Sequence, residues 1–152
     1  MIDAAQADAA LALDPAWSAA LRARWTALAE LAVFGELRTQ RLGALPRLRR
    51  KVLDLGERSR AVLAGRAWIP QPRERLKNAL ASALALREAL AQVEAGIAEL
   101  DGGADLDRLR AAFAALAQAV AALEPRMNAW AALLARRSQE DDNLPPSGAA
   151  AP

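Results

Sequence analysis

Between residues 106 and 134, apolar side chains recur at alternating spacings of three and four. Leu106, Leu109, Phe113, Leu116, Val120, Leu123, Met127, Trp130 and Leu134 fill nine successive seam positions. On an α-helix that spacing gathers one narrow stripe, as in coiled-coil-like bundle packing. Pro125 falls inside the run at an outward position, and the register continues on both sides of it. A proline inside a helix costs ~3 kcal/mol and bends it. The unbroken register predicts one kinked helix, or two stacked halves, over 104–138 rather than a sharp reversal.

Three earlier segments carry the same period. Asp14 and Pro15 suit an N-cap and first helical position, and Trp17, Leu21, Trp25, Leu28 and Leu31 then follow at helical spacing. This pattern loosens near "TQRLGALPR", where Gly43 suits a C-terminal cap and Pro46 either opens the next helix or kinks a continuous one. Leu48, Val52, Leu55, Ser59 and Val62 share one face of a second helix, which "GRAWIPQP" terminates with Gly65 and two prolines. A third helix carries Leu76, Leu80, Leu86, Leu90, Val93, Ile97 and Leu100 up to the "DGG" turn at 101–103. Asp105 and Asp107 then suit the positive end of the fourth.

The prediction is an all-α, up-and-down antiparallel helical bundle of four helices at about 15–43, 46–64, 72–100 and 104–138. A chain continuous through Pro46 would instead give three long helices, and a homodimer could then cover the overlong first one. Residues 1–13 form an N-terminal Ala-rich arm or an early helical turn, 14–138 the bundle domain, and 139–152 a disordered C-terminal tail.

Composition narrows the chemistry. The 152 residues include no Cys and no His. Thiol chemistry, disulfides, Ser-His triads and Glu-x-x-His di-iron sites are therefore excluded. Tyr is absent and Phe occurs twice, a poor supply for a sheet. No phosphate-cradling loop, dinucleotide fingerprint or nucleophile–base pair is present. The reading is a non-enzyme with no catalytic, metal or cofactor site. The start lacks a basic n-region and no stretch reaches about 20 apolar residues, so neither a secretory signal nor a transmembrane helix is expected. Cytoplasmic is the default location.

Charge is unevenly distributed. Residues 38–77 hold twelve Arg or Lys against three acids, a balance of +9, whereas the remainder carries −7. Residues 88–107 contain six acids and no base. Nucleic-acid binding requires basic residues along one continuous face. On a helical wheel, Arg47, Lys51 and Arg58 flank one side of the Leu48 stripe, Arg49 and Arg60 flank the other, and Arg50 points away. Asp54 can pair with Arg50 and Arg58 at i,i+4. That split favours a charged helix border facing the acidic stretch 88–107, ahead of an acidic protein partner or nucleic acid. Trp68 lies in the Pro-bounded loop, where it either caps the bundle core or, with Arg66 and Arg73, anchors a partner. The candidate partner-binding residues are Arg47, Arg49, Arg50, Lys51, Arg58, Arg60, Arg66, Trp68 and Arg73. Lipid or polymer coating fits less well, because the 106–134 seam is narrow. Function is read as a helical-bundle interaction protein (adaptor, scaffold subunit or export-chaperone-like) binding a protein partner. The alternative is a nucleic-acid-binding protein using 38–77.

Overall fold

In the computed structural model, residues 2–102 and 104–142 are described, the side chains of 104 and 137–142 excepted. Among them every regular element is helical: α1 (Ala4–Leu11), α2 (Pro15–Ala32), α3 (Ala44–Leu63), α4 (Pro72–Ala98), α5 (Ala104–Ala121) and α6 (Glu124–Asp142). The all-α prediction holds. The helices number six rather than four, and three boundaries differ for identifiable reasons.

The first difference is the N-terminal arm, which is a helix packed on α4 and α6. Asp3 and Gln6 close a reciprocal capping box, with the Gln6 N–H donating to Asp3 Oδ1 at 2.7 Å and the Asp3 N–H to Gln6 Oε1 at 3.1 Å. Ile2 and Ala7 are buried. An eight-residue helix is marginal alone, so packing holds it.

The second difference is α2, which ends at Ala32 instead of running to 43. A Cβ at Gly35 would lie 2.5 Å from the Leu31 carbonyl oxygen. The Val33 and Phe34 N–H groups both return to the Ala29 carbonyl, at 2.8 and 3.1 Å, and close the last turn. Residues 33–43 then form an irregular connection. Gly43, expected as a C-cap, is instead the N-cap of α3, at φ 79° in the left-handed region that favours glycine. Pro46 falls in the first turn of α3, where its missing N–H breaks no helical bond. The chain therefore breaks here and does not form three long helices.

The third difference is at the C-terminal seam. Ala122 and Leu123 N–H groups bond back three residues, to Ala119 and Val120, before α6 begins. Pro125 is the second residue of α6, again inside a first turn. The seam stays in register through the break, with Val120, Leu123, Met127 and Trp130 all buried. α5 and α6 each pack on α4, and Arg87 meets Glu124 at 2.9 Å at their junction. The two halves follow one another along α4. Helix α6 also covers 139–142, the start of the expected tail; residues 143–152 lie outside the described residues.

The core is one cluster drawn from all six helices. α2 packs against α3 and α5, and α4 packs against α3 and α5 as well. Tryptophans clamp the neighbours together. Trp17 Nε1 donates to Ala119 O at 2.8 Å (α2 to α5), Trp25 Nε1 to Val52 O at 2.9 Å (α2 to α3), and Trp130 Nε1 to Ala10 O at 2.8 Å (α6 to α1). Each ring lies against the core and its polar tip is satisfied. On α4 the buried face runs Leu76, Ala79, Ala83, Leu86, Ala89, Val93, Ile97, while Leu80 and Leu90 flank it half-buried, as does Leu100 just past its end. Small side chains on that face let neighbouring helices approach closely. No described helix is long and apolar enough to cross a membrane.

Candidate interaction surface

Helix α3 carries six of the nine candidate residues, and its apolar stripe is buried as the wheel predicts: Leu48, Val52, Leu55, Ser59 and Val62 are all inside. Ser59 is accommodated because its hydroxyl donates to Leu55 O at 2.8 Å, one turn back. The basic residues then sort into distinct roles.

Arg47 pairs with Glu99 at 3.2 Å, and Arg41, just ahead of α3, pairs with Asp101 at 3.6 Å. Both acids belong to the stretch 88–107, so two bases of the belt are met from within the chain. Asp101 also accepts the Gln40 N–H at 2.9 Å. Arg49 reaches the end of α2, donating to Ala32 O at 3.2 Å and Gly35 O at 3.4 Å. These carbonyls have no helical partner of their own, and a cation there also opposes the helix dipole. Arg58 pairs with Asp54 at 3.5 Å within α3. Arg60 lies 5.9 Å from the Trp25 ring centre, and its Nη2 reaches Glu57 at 3.9 Å. The expected Asp54–Arg50 pair does not form. Arg50 is exposed with no ion-pair partner among the described residues, and with Arg47, Lys51, Asp54 and Gln92 it lines a shallow groove between α3 and α4. Exposed ion pairs of this kind contribute about 0–1 kcal/mol each, so they orient α3 more than they stabilise it.

The loop 64–71 separates the remaining candidates. Arg66 is 9% exposed and does not face solvent. Its guanidinium folds under the end of α3, donating to Ala64 O at 2.6 Å, Gly65 O at 3.4 Å, Ser82 Oγ at 2.9 Å and, closest, Ala61 O. Burial lowers its pKa, but arginine stays charged in proteins. Trp68 is 73% exposed. It does not cap the core, contrary to the expectation for a loop tryptophan. Its Nε1 donates to Gly65 O at 3.0 Å, so the indole is tied to its own loop and presents ring surface outward. Arg73 is half-buried in the first turn of α4.

Arg75, which sequence reasoning passed over, braces this loop. Its Nε donates to Ile69 O at 2.8 Å and its Nη1 meets Asp8 of α1 at 2.6 Å. The Ile69 N–H bonds to Arg66 O at 2.9 Å. A frame of hydrogen bonds thus surrounds an exposed tryptophan. A second apolar exposure lies on the 33–43 connection, where Phe34 is 74% and Leu42 98% exposed. Phe34 was detectable in the sequence, since it falls outside the α2 stripe and beside Gly35. Among the described residues no three acidic side chains converge as metal ligands would. No protein-family model, curated protein or solved structure matches this chain.

Proposed function

We propose that this chain is a non-enzymatic interaction protein, an adaptor, scaffold subunit or export-chaperone-like bundle, that binds a protein partner in the cytoplasm. Helices α2 to α5 act as an up-and-down antiparallel bundle with coiled-coil-like packing, and α1 with α6 extends it. The loop 64–71 is the docking element and Trp68 its anchor. The carrying observation is the 73% exposure of Trp68 on a loop pinned at Gly65, Ile69 and Arg75. A large aromatic held in place loses little entropy on docking, and Trp is the residue type most enriched at interface hot spots.

The nucleic-acid reading retains the groove around Arg47, Arg50 and Lys51. Against it, Arg41, Arg47, Arg49, Arg58, Arg60, Arg66 and Arg75 are already committed to carboxylates or carbonyls. Capture with the intact chain, Trp68→Ala and Arg50→Glu as baits separates the two readings. A stoichiometric protein partner lost only by Trp68→Ala supports the protein-binding function. A salt-dependent shift of labelled DNA or RNA, removed by replacing Arg47, Arg50 and Lys51 together, transfers the function to the alternative. Arg49 is left in place because it caps α2.

A further inference from the structure

A groove of about 250 Å³ runs between α2 and α3, lined by Arg22, Trp25 and Thr26 from the first and by Gly56, Arg60 and Leu63 from the second. Trp25 and Leu63 are half-buried and supply its apolar surface. Leu53, one turn before Gly56 on the same side of α3, is 44% exposed and carries the apolar strip further. From Leu53 to Leu63 the strip follows α3 for about 15 Å, nearly three helical turns. It ends at the loop 64–71, where Gly65 O holds the Trp68 N–H only two residues past Leu63.

Each wall of the groove carries a guanidinium with open donors. Arg60 is held through its Nε, which donates to Gly56 O at 3.4 Å, and it stands 5.9 Å from the Trp25 ring centre. Its Nη2 approaches Glu57 only to 3.9 Å, beyond hydrogen-bond range. Neither Nη therefore donates a hydrogen bond among the described residues. Arg22 is exposed, and its guanidinium has no hydrogen-bond or ion-pair partner among the described residues. An exposed ion pair contributes little by itself, so a small anion would be held weakly here. A helix that also buries an apolar stripe meets both features of the groove. The complementary pattern is a row of apolar side chains with carboxylates on its flanks.

We propose that the α2–α3 groove seats an acidic amphipathic helix of the partner protein, its apolar stripe on Trp25, Leu53 and Leu63 and its carboxylates on Arg22 and Arg60. This rests on the protein-binding reading above and names the chemistry of the partner. The two fail separately. Partner capture that ignores Trp68→Ala removes the anchor and leaves the groove, whereas a groove that takes no acidic helix leaves the anchor.

The experiment titrates the ¹⁵N-labelled full chain with a capped peptide of about 16 residues, built from Ala, Leu and Glu with Leu at three- and four-residue spacing and Glu on both flanks. The same peptide with Lys in place of Glu is the control. The chain has four indole N–H signals, and Trp25→Phe identifies that of Trp25. The expected result is a saturable shift of the Trp25 signal with the Glu peptide, while the Trp17 and Trp130 signals stay in place. Arg22→Glu combined with Arg60→Glu should weaken binding about tenfold or more at an unchanged unfolding temperature. Should that variant fail to fold, Arg22→Glu alone, which breaks no side-chain bond within the described chain, must weaken it at least about threefold. No saturable shift, equal binding of the Lys peptide, or affinity that survives charge reversal overturns the assignment. Movement of the Trp25 signal with protein concentration alone also overturns it, because a second copy then fills the groove.

Discussion

Replacing Gly56 with alanine should destabilise the protein, although alanine is the better helix former. A Cβ built at Gly56 lies 2.3 Å from Trp25 Cζ2, 2.5 Å from Cε2 and 2.9 Å from Nε1. The Nε1–Cε2–Cζ2 edge of the indole lies against the α3 backbone at Gly56 and must move away by about an ångström or more to reach ordinary contact. That shift breaks the 2.9 Å bond from Trp25 Nε1 to Val52 O and lifts the ring from beneath Arg60. Overpacking of this kind costs about 1–3 kcal/mol, and the lost indole bond about 1 kcal/mol more. Alanine returns about 1 kcal/mol in helix propensity. The net loss is therefore about 1–3 kcal/mol, or a Tm lower by roughly 2–12 °C for a chain of this size. Thermal and urea unfolding followed by circular dichroism measure it. The substitution repeated in a Trp25→Leu background removes the clash, so there Gly56→Ala should be neutral or stabilising. Gly65→Ala, where a Cβ meets nothing within 4 Å, provides the control. If Gly56→Ala leaves the wild-type Tm unchanged or raises it, the packing of Trp25 on α3 has been misread.

Other substitutions probe the boundaries the sequence left open. Arg49→Ala uncaps the end of α2 and should cost about 1–3 kcal/mol, seen as a lower urea midpoint with an unchanged slope. Gly43→Ala forces a Cβ into the left-handed region and should cost about 1–2 kcal/mol by the same assay. Asp101→Ala removes both the Arg41 pair and the acceptor for the Gln40 N–H. Limited trypsin digestion should then cut at Arg38 or Arg41 severalfold faster, while cleavage within α3 stays slow.

Helical period located α2, α3, α4 and the α5–α6 seam, because Leu48, Val52, Leu55 and the 106–134 positions are large, apolar and spaced by the pitch of the backbone; it left α1 undecided between an arm and a helical turn. It failed where the informative residues are small. The buried face of α4 runs through Ala79, Ala83 and Ala89, and alanine is equally at home inside or outside, so the leucines beside it drew the stripe to one side. The end of α2 was hidden for a similar reason. Glu36, Arg38 and Gln40 do not break a helical pattern; the chain leaves the helix at Gly35, where the missing Cβ permits a close approach to the Leu31 carbonyl, and an arginine from another helix caps the end. Of the basic belt, the wheel correctly separated core from border on α3. It had no means to distinguish Arg66, buried under a helix end, from Arg50, exposed in a groove. That distinction depends on how α3 and α4 approach each other. The exposure of Trp68 was likewise beyond pattern, since capping the core or projecting from the loop depends on which carbonyl its N–H finds.

Calorimetric titration of the captured partner with the intact chain and with Trp68→Ala tests the proposed function most directly. Loss of a central aromatic anchor costs 2 kcal/mol or more, about 30-fold in Kd. Trp68→Ala should weaken binding by at least that factor and Arg50→Glu by less than threefold, with both variants unfolding at the wild-type temperature. A Trp68→Ala affinity within twofold of wild type, with binding abolished by Arg50→Glu, would contradict the proposed function.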